Sequence, residues 1–321
     1  MATSAQVAAH AGVSRSTVSQ IFNGHEDLFT EATVERVRAS ARTLGYRPSV
    51  AGRTLVRGTS DIVITLIPDV TFNPRLRELI DIVTEGLASA GLTNLLRFAG
   101  SGDSLHDTIL GLRPYGVISL APVPPAQRKK MLAQGVHLIE QSTAMQVAID
   151  RAIGQLQARH LVSAGYDSIA VVLPAEAREQ AFASPREEGA RQWAAENGAH
   201  VLPTVRIAME HSDVNAAVRQ LPTGSVGVAA YNDEVAVAVL GAALYQGRKV
   251  PEDLGIIGID NSPVAHATSP TITTVDYDMK FSGQEIVKTL LRAPGASLDP
   301  DAELEVERRL AIVRGGSTRS S

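Results

Sequence analysis

Residues 15–20 place Arg15, Ser16, Thr17, Ser19 and Gln20 around the apolar Val18, with Ile21 and Phe22 following. At about 100° per residue, a helix here gathers Val18, Ile21 and Phe22 on one arc. The opposite arc then holds Arg15, Ser16, Ser19 and Gln20. These are not the Lys and Glu of an ordinary solvated surface. Arginine can pair two-pronged with guanine O6 and N7, and glutamine with adenine N6 and N7. The hydroxyls of Ser14, Ser16, Thr17 and Ser19 are short enough to reach phosphates without holding the helix away. The chemistry on offer is readout of a DNA duplex. The plainer alternative is the solvated face of a small helical bundle.

Such a face needs a rigid frame, and the first 58 residues supply the signals for one. Thr3 with Gln6 three residues on is a capping box, and Val7, Ala8 and Ala11 form the inner side of a first helix. Gly12 permits a tight turn. Ser14 caps the second helix, which stops before the turn signal Asn23-Gly24. Thr30 caps a third, with Val34, Val37, Ala41 and Leu44 at helical spacing and Gly45 as its C′ residue. Helix, glycine turn, helix is the helix-turn-helix layout, whose second helix enters the major groove. Residues 1–60 hold seven arginines against four carboxylates, a local charge of +3 in a chain of −4, so the remainder carries −7. A positive head on an acidic body suits a polyanion.

After Pro48 the stretch SVAGRTLVRG is a weak helix former that links head to body. It could fold only when held by a partner. Leu55, on an otherwise basic segment, could wedge between base pairs from the minor groove with Arg53 and Arg57 near phosphates. The alternative is a flexible linker with Leu55 resting on the body.

From Asp61 the pattern becomes strand–helix alternation. Apolar runs fall at 62–67, 94–99, 116–121, 136–140, 168–173, 226–231 and 254–260, separated by amphipathic stretches. This predicts parallel sheets covered by helices, in two doubly wound lobes with a ligand cleft near the carboxyl ends of strands. No GxSxG elbow, GxxxxGK[ST] loop or HExxH motif occurs, and the eight histidines are scattered. No enzyme activity, cofactor or metal is therefore expected. With no cysteine, disulfides and thiolate metal sites are excluded. Neither a secretory signal nor an apolar run of the ~18 residues that span a bilayer is found. At strand ends stand Asn232-Asp233 and Asp260-Asn261, and Arg186 lies in SPREEGARQW. Asp233 reads equally well as a helix cap. Taken singly, each of these residues reads as readily as structural.

The segments AGVSRSTVSQIFNG, LGYRPS and GRTL resemble the DNA-binding head and hinge of the LacI/GalR transcriptional regulators. That resemblance implies Arg15, Ser16 and Gln20 as base readers and Thr3, Ser14, Thr17, Asn23 and Tyr46 as phosphate contacts. It implies Leu55 as the hinge wedge, with Gly52 and Arg53 beside it. The loop GHEDLFT is one residue longer than the family spacing, and Gly52 stands where alanine is common, which disfavours a hinge helix by ~1 kcal/mol. The body is similar to periplasmic sugar-binding proteins, where the residues matching Arg186, Asn232 and Asp260 hydrogen-bond the effector. TSPTITTVDYD and LAIVRGGST resemble further family segments, in order, so the resemblance spans nearly the whole chain. In the first strand-to-helix loop, FNPRL puts Arg75 and Leu76 where the family often has aromatics. Phe72 remains as a stacking surface. Arg75, if it faces the cleft, favours an anionic effector, and Glu140 could bind hydroxyls or neutralise that arginine.

The expectation is thus an α/β protein: a small all-α helix-turn-helix head (1–47), a hinge (48–60) and a two-lobed periplasmic-binding-protein-like body (61–321). The N-lobe is expected at about 61–148 and 277–300, and the C-lobe at about 149–276 and 301–316. The function implied is a homodimeric, cytoplasmic transcriptional regulator, a repressor. Its affinity for a pseudo-palindromic operator would be set by a small-molecule effector, a sugar or sugar derivative, bound between the lobes. The alternative is a sugar-binding protein of the periplasmic class that does not bind DNA.

Overall fold

The structure is a computed structural model that describes residues 2–22, 24–46, 58–69, 74–99, 109, 111–140, 142–292 and 309–320. Asn23, Gly52, Arg53, Leu55 and Phe72, and most of the expected hinge, lie outside the described residues.

Three helices form the head: α1 (Ser4–Ala11), α2 (Arg15–Phe22) and α3 (Glu31–Thr43). The caps are those the sequence announces. Thr3 and Gln6 close a capping box, Ser14 accepts the Thr17 N–H at 3.0 Å, and Thr30 accepts that of Thr33. Gly12 and Gly45 sit at φ 66° and 61°, in the left-handed region that lets each helix end abruptly. Val7, Ala8, Ala11, Val18, Ile21, Val34, Val37 and Ala41 bury one another in a core separate from the body. The long loop after α2 is taken up by a 3-10 turn at Glu26–Leu28, and Glu26 pairs with Arg38 of α3.

The body has two sheets. The first is four-stranded, in the order β2 (Thr93–Phe98), β1 (Ile62–Ile67), β3 (Gly116–Ser119), β4 (His137–Glu140), all parallel. Helix α4 (Pro74–Ser89) lies on one face, as does a helix from far downstream, Met279–Leu291. Their Leu79, Val83, Leu87, Ile286, Val287 and Leu290 pack against Val63, Ile118 and Ile139. On the other face Ile64, Leu66 and Val117 meet Met131 of α5 (Pro125–Ala133).

The second sheet follows helix α6 (Thr143–Ser163). Strands β5 (Ser168–Pro174), β6 (His200–Val201), β7 (Val205–Ile207), β8 (Val226–Ala230), β9 (Leu254–Ile259), β10 (Thr273–Tyr277) and β11 (Leu310–Val313) run β11-β10-β9-β8-β5-β6, with β7 also on β5. Among the described residues only the β10–β11 pair is antiparallel. Between strands lie α7 (Gln180–Glu196), α8 (His211–Gln220), α9 (Asp233–Tyr245), the short α10 (Pro263–His266) and, after β10, α11 (Met279–Leu291). The chain thus leaves the second sheet after β10, contributes α11 to the first, and returns as β11. The seven apolar runs read from the sequence are all strands, each end within two residues of its expected place. Strands β6, β7, β10 and β11 were not among them.

Helices α6 and α7 cross at two glycines. A Cβ on Gly154 would lie 2.0 Å from the Arg186 carbonyl oxygen, and one on Gly189 2.0 Å from that of Arg151. The backbones touch, and this contact brings the α6 carboxylate of Asp150 to the α7 guanidinium of Arg186. Gly189→Ala should therefore lower stability by about 2 kcal/mol through overpacking against backbone that cannot yield. Gly241→Ala, at an open position on α9, should raise it by roughly 0.5–1 kcal/mol. Thermal melts of the two variants beside the parent chain check both signs.

Candidate functional site

Parallel strands deliver all their carboxyl ends to one edge of a sheet, and this is where side chains from different strands converge. In the second sheet β5, β8, β9 and β10 are consecutive neighbours. Just past their ends stand Glu176, then Tyr231, Asn232 and Glu234, then Asp260 and Asn261, with Asp276 and Tyr277 closing β10.

Arg186 organises this edge. Its Nε donates to Asp150 Oδ1 at 2.7 Å and its Nη1 to the Tyr231 carbonyl at 2.7 Å. The guanidinium also lies 4.6 Å over the Tyr231 ring. Asp150 is fully buried and takes a second donor from Gln146 at 2.8 Å. Burial works against the charge on Arg186, but Asp150, Tyr231 and Asp260 more than offset it and raise its pKa. Burial likewise lifts the Asp150 carboxyl, with Arg186 and Gln146 opposing. Tyr231 is fixed in turn: its hydroxyl donates to buried Glu179 at 2.9 Å.

Asp260 and Asn261 adopt φ of 101° and 47°, conformations that side chains seldom take. Asp260 follows directly on β9, and its N–H donates to the Val275 carbonyl of β10. Burial pushes its carboxyl up to about 7; Arg186 pulls the other way, while Asp233 and Glu234 push it higher and Arg75 lowers it. Asp260 is thus poised to change charge near neutrality.

Asn232, not Asp233, caps α9: its Oδ1 accepts the Val235 N–H at 3.0 Å. That leaves the amide NH2 as the half of the side chain it can offer a ligand. Asp233 is instead fully buried, accepting the Ser262 N–H at 2.7 Å and lying against Gly258 of β9. Sequence spacing does not separate the two readings, because both residues are favoured caps.

Arg75 and Glu140 are not partners. Arg75 Nη1 donates to Glu78 at 2.6 Å, and Nη2 donates to Asp276 at 2.8 Å and to the Tyr277 carbonyl. Its charge is neutralised within the protein, which removes the reason to expect an anionic effector. Glu140 accepts the Val123 N–H at 3.0 Å and pairs with Arg128. Among the described residues, Glu176 Oε2, Glu234 Oε2 and Arg75 Nε are buried without a hydrogen-bond partner. Buried polar atoms are normally satisfied, so these mark places where a ligand or water belongs.

Sequence reasoning missed Asp150, Tyr231, Glu234 and Glu176. Glu234 was within reach, as the residue after the Asn-Asp pair at a strand end. Asp150 carries no local signal, since it matters only through α7.

In the head, Arg15, Ser16, Ser19 and Gln20 are exposed on α2 while Val18 and Ile21 are buried. Arg15 Nε donates to Ser4 Oγ at 3.1 Å, which holds the side chain along the outer face. The Thr3 and Ser14 hydroxyls are occupied as caps, and Ser14 Oγ is also 2.9 Å from Thr17 Oγ1. What they present outward is the helix N-terminus they organise, a suitable anion site. Tyr46 packs edge-on against Phe22, ring centres 5.7 Å apart.

Among the described residues no group of three or more His, Cys, Asp or Glu side chains could hold a metal ion, and no helix is long and apolar enough to cross a membrane.

Comparison with known proteins agrees with this geometry. The profile of the bacterial regulatory proteins of the lacI family matches residues 5–49, and that of the periplasmic binding protein-like domain matches 158–318, half of the chain. The transcriptional regulator MalR of Streptomyces coelicolor is 28% identical over 336 residues, covering 98% of this chain and 96% of its own. Among solved structures, the Lac repressor dimer bound to operator and the anti-inducer ONPF superimposes with a TM-score of 0.75 at 19% identity, covering 99% of both chains. A CelR–cellobiose complex does so at 0.64 and 22%, covering 99% of this chain and 100% of that one. With an exposed polar helix face on a three-helix head and polar side chains gathered at the strand ends of a doubly wound body, the chain belongs to the lacI family of bacterial regulatory proteins and is a transcriptional regulator, not an enzyme.

Proposed function

We propose that this regulator is a homodimeric, cytoplasmic repressor that grips a pseudo-palindromic operator and is controlled by an effector bound between its lobes. The observation that carries the reading is the exposed row Arg15, Ser16, Ser19 and Gln20 on α2, backed by the buried Val18 and Ile21. Arg15, Ser16 and Gln20 read bases. Thr3, Ser14, Thr17, Asn23 and Tyr46 hold phosphates, and Gly52, Arg53 and Leu55 belong to a hinge that orders on DNA. Head, hinge and body divide at 1–47, 48–60 and 61–321, with the N-lobe at about 61–148 and 277–300 and the C-lobe at about 149–276 and 301–316.

The effector is an uncharged polyhydroxylated molecule, a sugar or sugar derivative. Arg186 and Arg75 are each ion-paired inside the protein, so neither awaits an anionic ligand. The groups left over are carboxylate oxygens of Glu176 and Glu234, the Asp260 carboxyl and the Asn232 amide. These suit hydroxyl groups, which donate and accept at once. Phe72 and Glu140 remain candidate effector contacts from the first lobe. Cellobiose in the CelR complex is a ligand of this kind in a chain of the same fold.

A dimer requires an apolar contact surface. Met209, Leu244 and Tyr245 are 48%, 47% and 73% exposed on the second lobe, and the Tyr245 ring stands edge-on to His211 at 5.7 Å. Exposed apolar groups clustered in this way suit a protein partner, here a second copy.

Three outcomes follow. Gln20→Ala and Arg15→Ala should each weaken binding to a selected operator by about 1–3 kcal/mol while barely changing affinity for random duplex. Fluorescence anisotropy with both DNAs reads this, and equal losses on the two would remove the base-reading role. Tyr245→Asp should convert the dimer to monomer in light scattering and cost operator affinity without touching the head. The third concerns pH. A carboxyl raised in the folded state gives stability that is full below its unfolded value of 3.8 and lost as pH rises toward about 7. Asp260→Asn should therefore melt closer to the parent at pH 4 than at pH 8. At pH 8 it should be the more stable by at least about 2 °C, while losing effector-induced stabilisation at both.

A further inference from the structure

Arg75 and Asp276 belong to opposite halves of the body. Arg75 is in the first turn of α4, which packs on the four-stranded sheet. Asp276 is on β10 of the seven-stranded sheet, where the chain is about to cross back into α11. The two meet at the crossing point. Arg75 Nη2 donates to Asp276 Oδ1 at 2.8 Å and to the Tyr277 carbonyl, and the guanidinium side chain is only 11% exposed.

The Asp276 side chain is 34% exposed, and a half-buried pair of this kind gains little net stability, because desolvation of the guanidinium and solvent screening offset most of its attraction. What it does provide is direction. A planar donor fixed to a carboxylate and to the next carbonyl sets the angle between α4 and β10. The register adds a second fact. Val275 pairs with Ile259 in parallel strands, so Asp276 stands one step on, beside Asp260. The same guanidinium that is bonded to Asp276 also lowers the proton affinity of Asp260, and its Nε is buried with no partner among the described residues.

We propose that the Arg75–Asp276 pair is an interlobe latch that sets the resting angle of the lobes, and that Arg75 is the positioning residue through which occupancy beside Asp260 resets it. A hydroxyl that donates to Asp260 and accepts from Arg75 Nε would tie α4 directly to the end of β9 and draw the guanidinium off Asp276. This second half rests on the cleft being the effector site; the latch itself requires neither effector nor DNA.

The chain has no cysteine, so Lys129→Cys on the first lobe and Ala177→Cys on the second can carry spin labels without background. Pulsed electron resonance on the full chain then measures the lobe-to-lobe distance. Arg75→Gln and Asp276→Asn should each shift or broaden the distribution by several ångströms. Glu78→Gln, which removes only the partner within α4, should leave it in place. The exchange of Arg75→Asp with Asp276→Arg should restore the parent distribution. Distributions for Asp276→Asn and Arg75→Gln that superimpose on the parent would overturn the latch; if Arg75→Gln fails to fold, Asp276→Asn decides. Affinity for an operator selected in vitro should change at least about fivefold in Asp276→Asn, the low end of ordinary coupling between sites. Moved lobes with unchanged DNA affinity would overturn the link to DNA while sparing the latch, and so separate this proposal from the reading of the protein as an operator-binding repressor.

Discussion

The contact between Arg186 and Asp150 is the interaction on which the sensing edge depends. A carboxylate with no exposed surface costs several kcal/mol to desolvate unless it is fully partnered. Here it is: two donors, one from Gln146 on its own helix and one from Arg186 on the next. The pair exists because Gly154 and Gly189 let two backbones touch. In return it aims the guanidinium at the Tyr231 carbonyl, which fixes the end of β8 and the start of α9. The glycines, the ion pair and the strand end form one chain of causes. Loosening any of them moves the Asn232 amide and the field felt by Asp260.

The head follows the same logic with cheaper means. Its helices are short, and isolated helices of eight residues do not hold together in water. Caps at Thr3, Ser14 and Thr30 satisfy the first N–H groups, and a core of small and β-branched residues holds the crossings. Because that core is apart from the body's, the readout face keeps its shape whatever the lobes do. Control from the body must then act on where the head is held, not on its fold.

What the sequence discloses divides along the same line. The α2 face was legible because its periodicity and caps are local, all within about eight residues. The strands of both sheets were legible as apolar runs, and Asp260 as the polar residue that ends one. Strand β10 was passed over as a strand because the short TTVDY mixes polar and apolar residues, and β11 was read only as the closing strand that the resemblance implies. They were noticed only as family segments. The partners were not legible at all. Asp150 reaches Arg186 across 36 residues and Arg75 reaches Asp276 across 201. No local pattern tells an arginine awaiting an anion from one already neutralised, so the conditional case for an anion at Arg75 turned on a counter-charge that lay two-thirds of the chain away. The cap was misread for the opposite reason. Asn232 and Asp233 are both good caps, and only the buried hydrogen bond to Ser262 shows which one turned inward.

These placements explain how a pocket can be charged and still suit a neutral ligand. Arg186 is held by Asp150, and Arg75 by Asp276 and Glu78, which offsets the net pull of each but keeps its direction. Burial raises the Asp260 carboxyl, with Arg186 and Arg75 opposing and Asp233 and Glu234 adding to the rise. An anion entering there would find Arg186 and Arg75 already paired with carboxylates. A hydroxyl meets only oriented donors and acceptors, and the cost of desolvating it is small beside that of a charge. Since Asp260 lies on one lobe and Arg75 on the other, a molecule large enough to touch both must bridge the cleft. On the proposed reading, ligand size and hydroxyl placement, rather than ligand charge, are what this body measures, and the bridging contact that identifies the ligand is the one that moves the lobes.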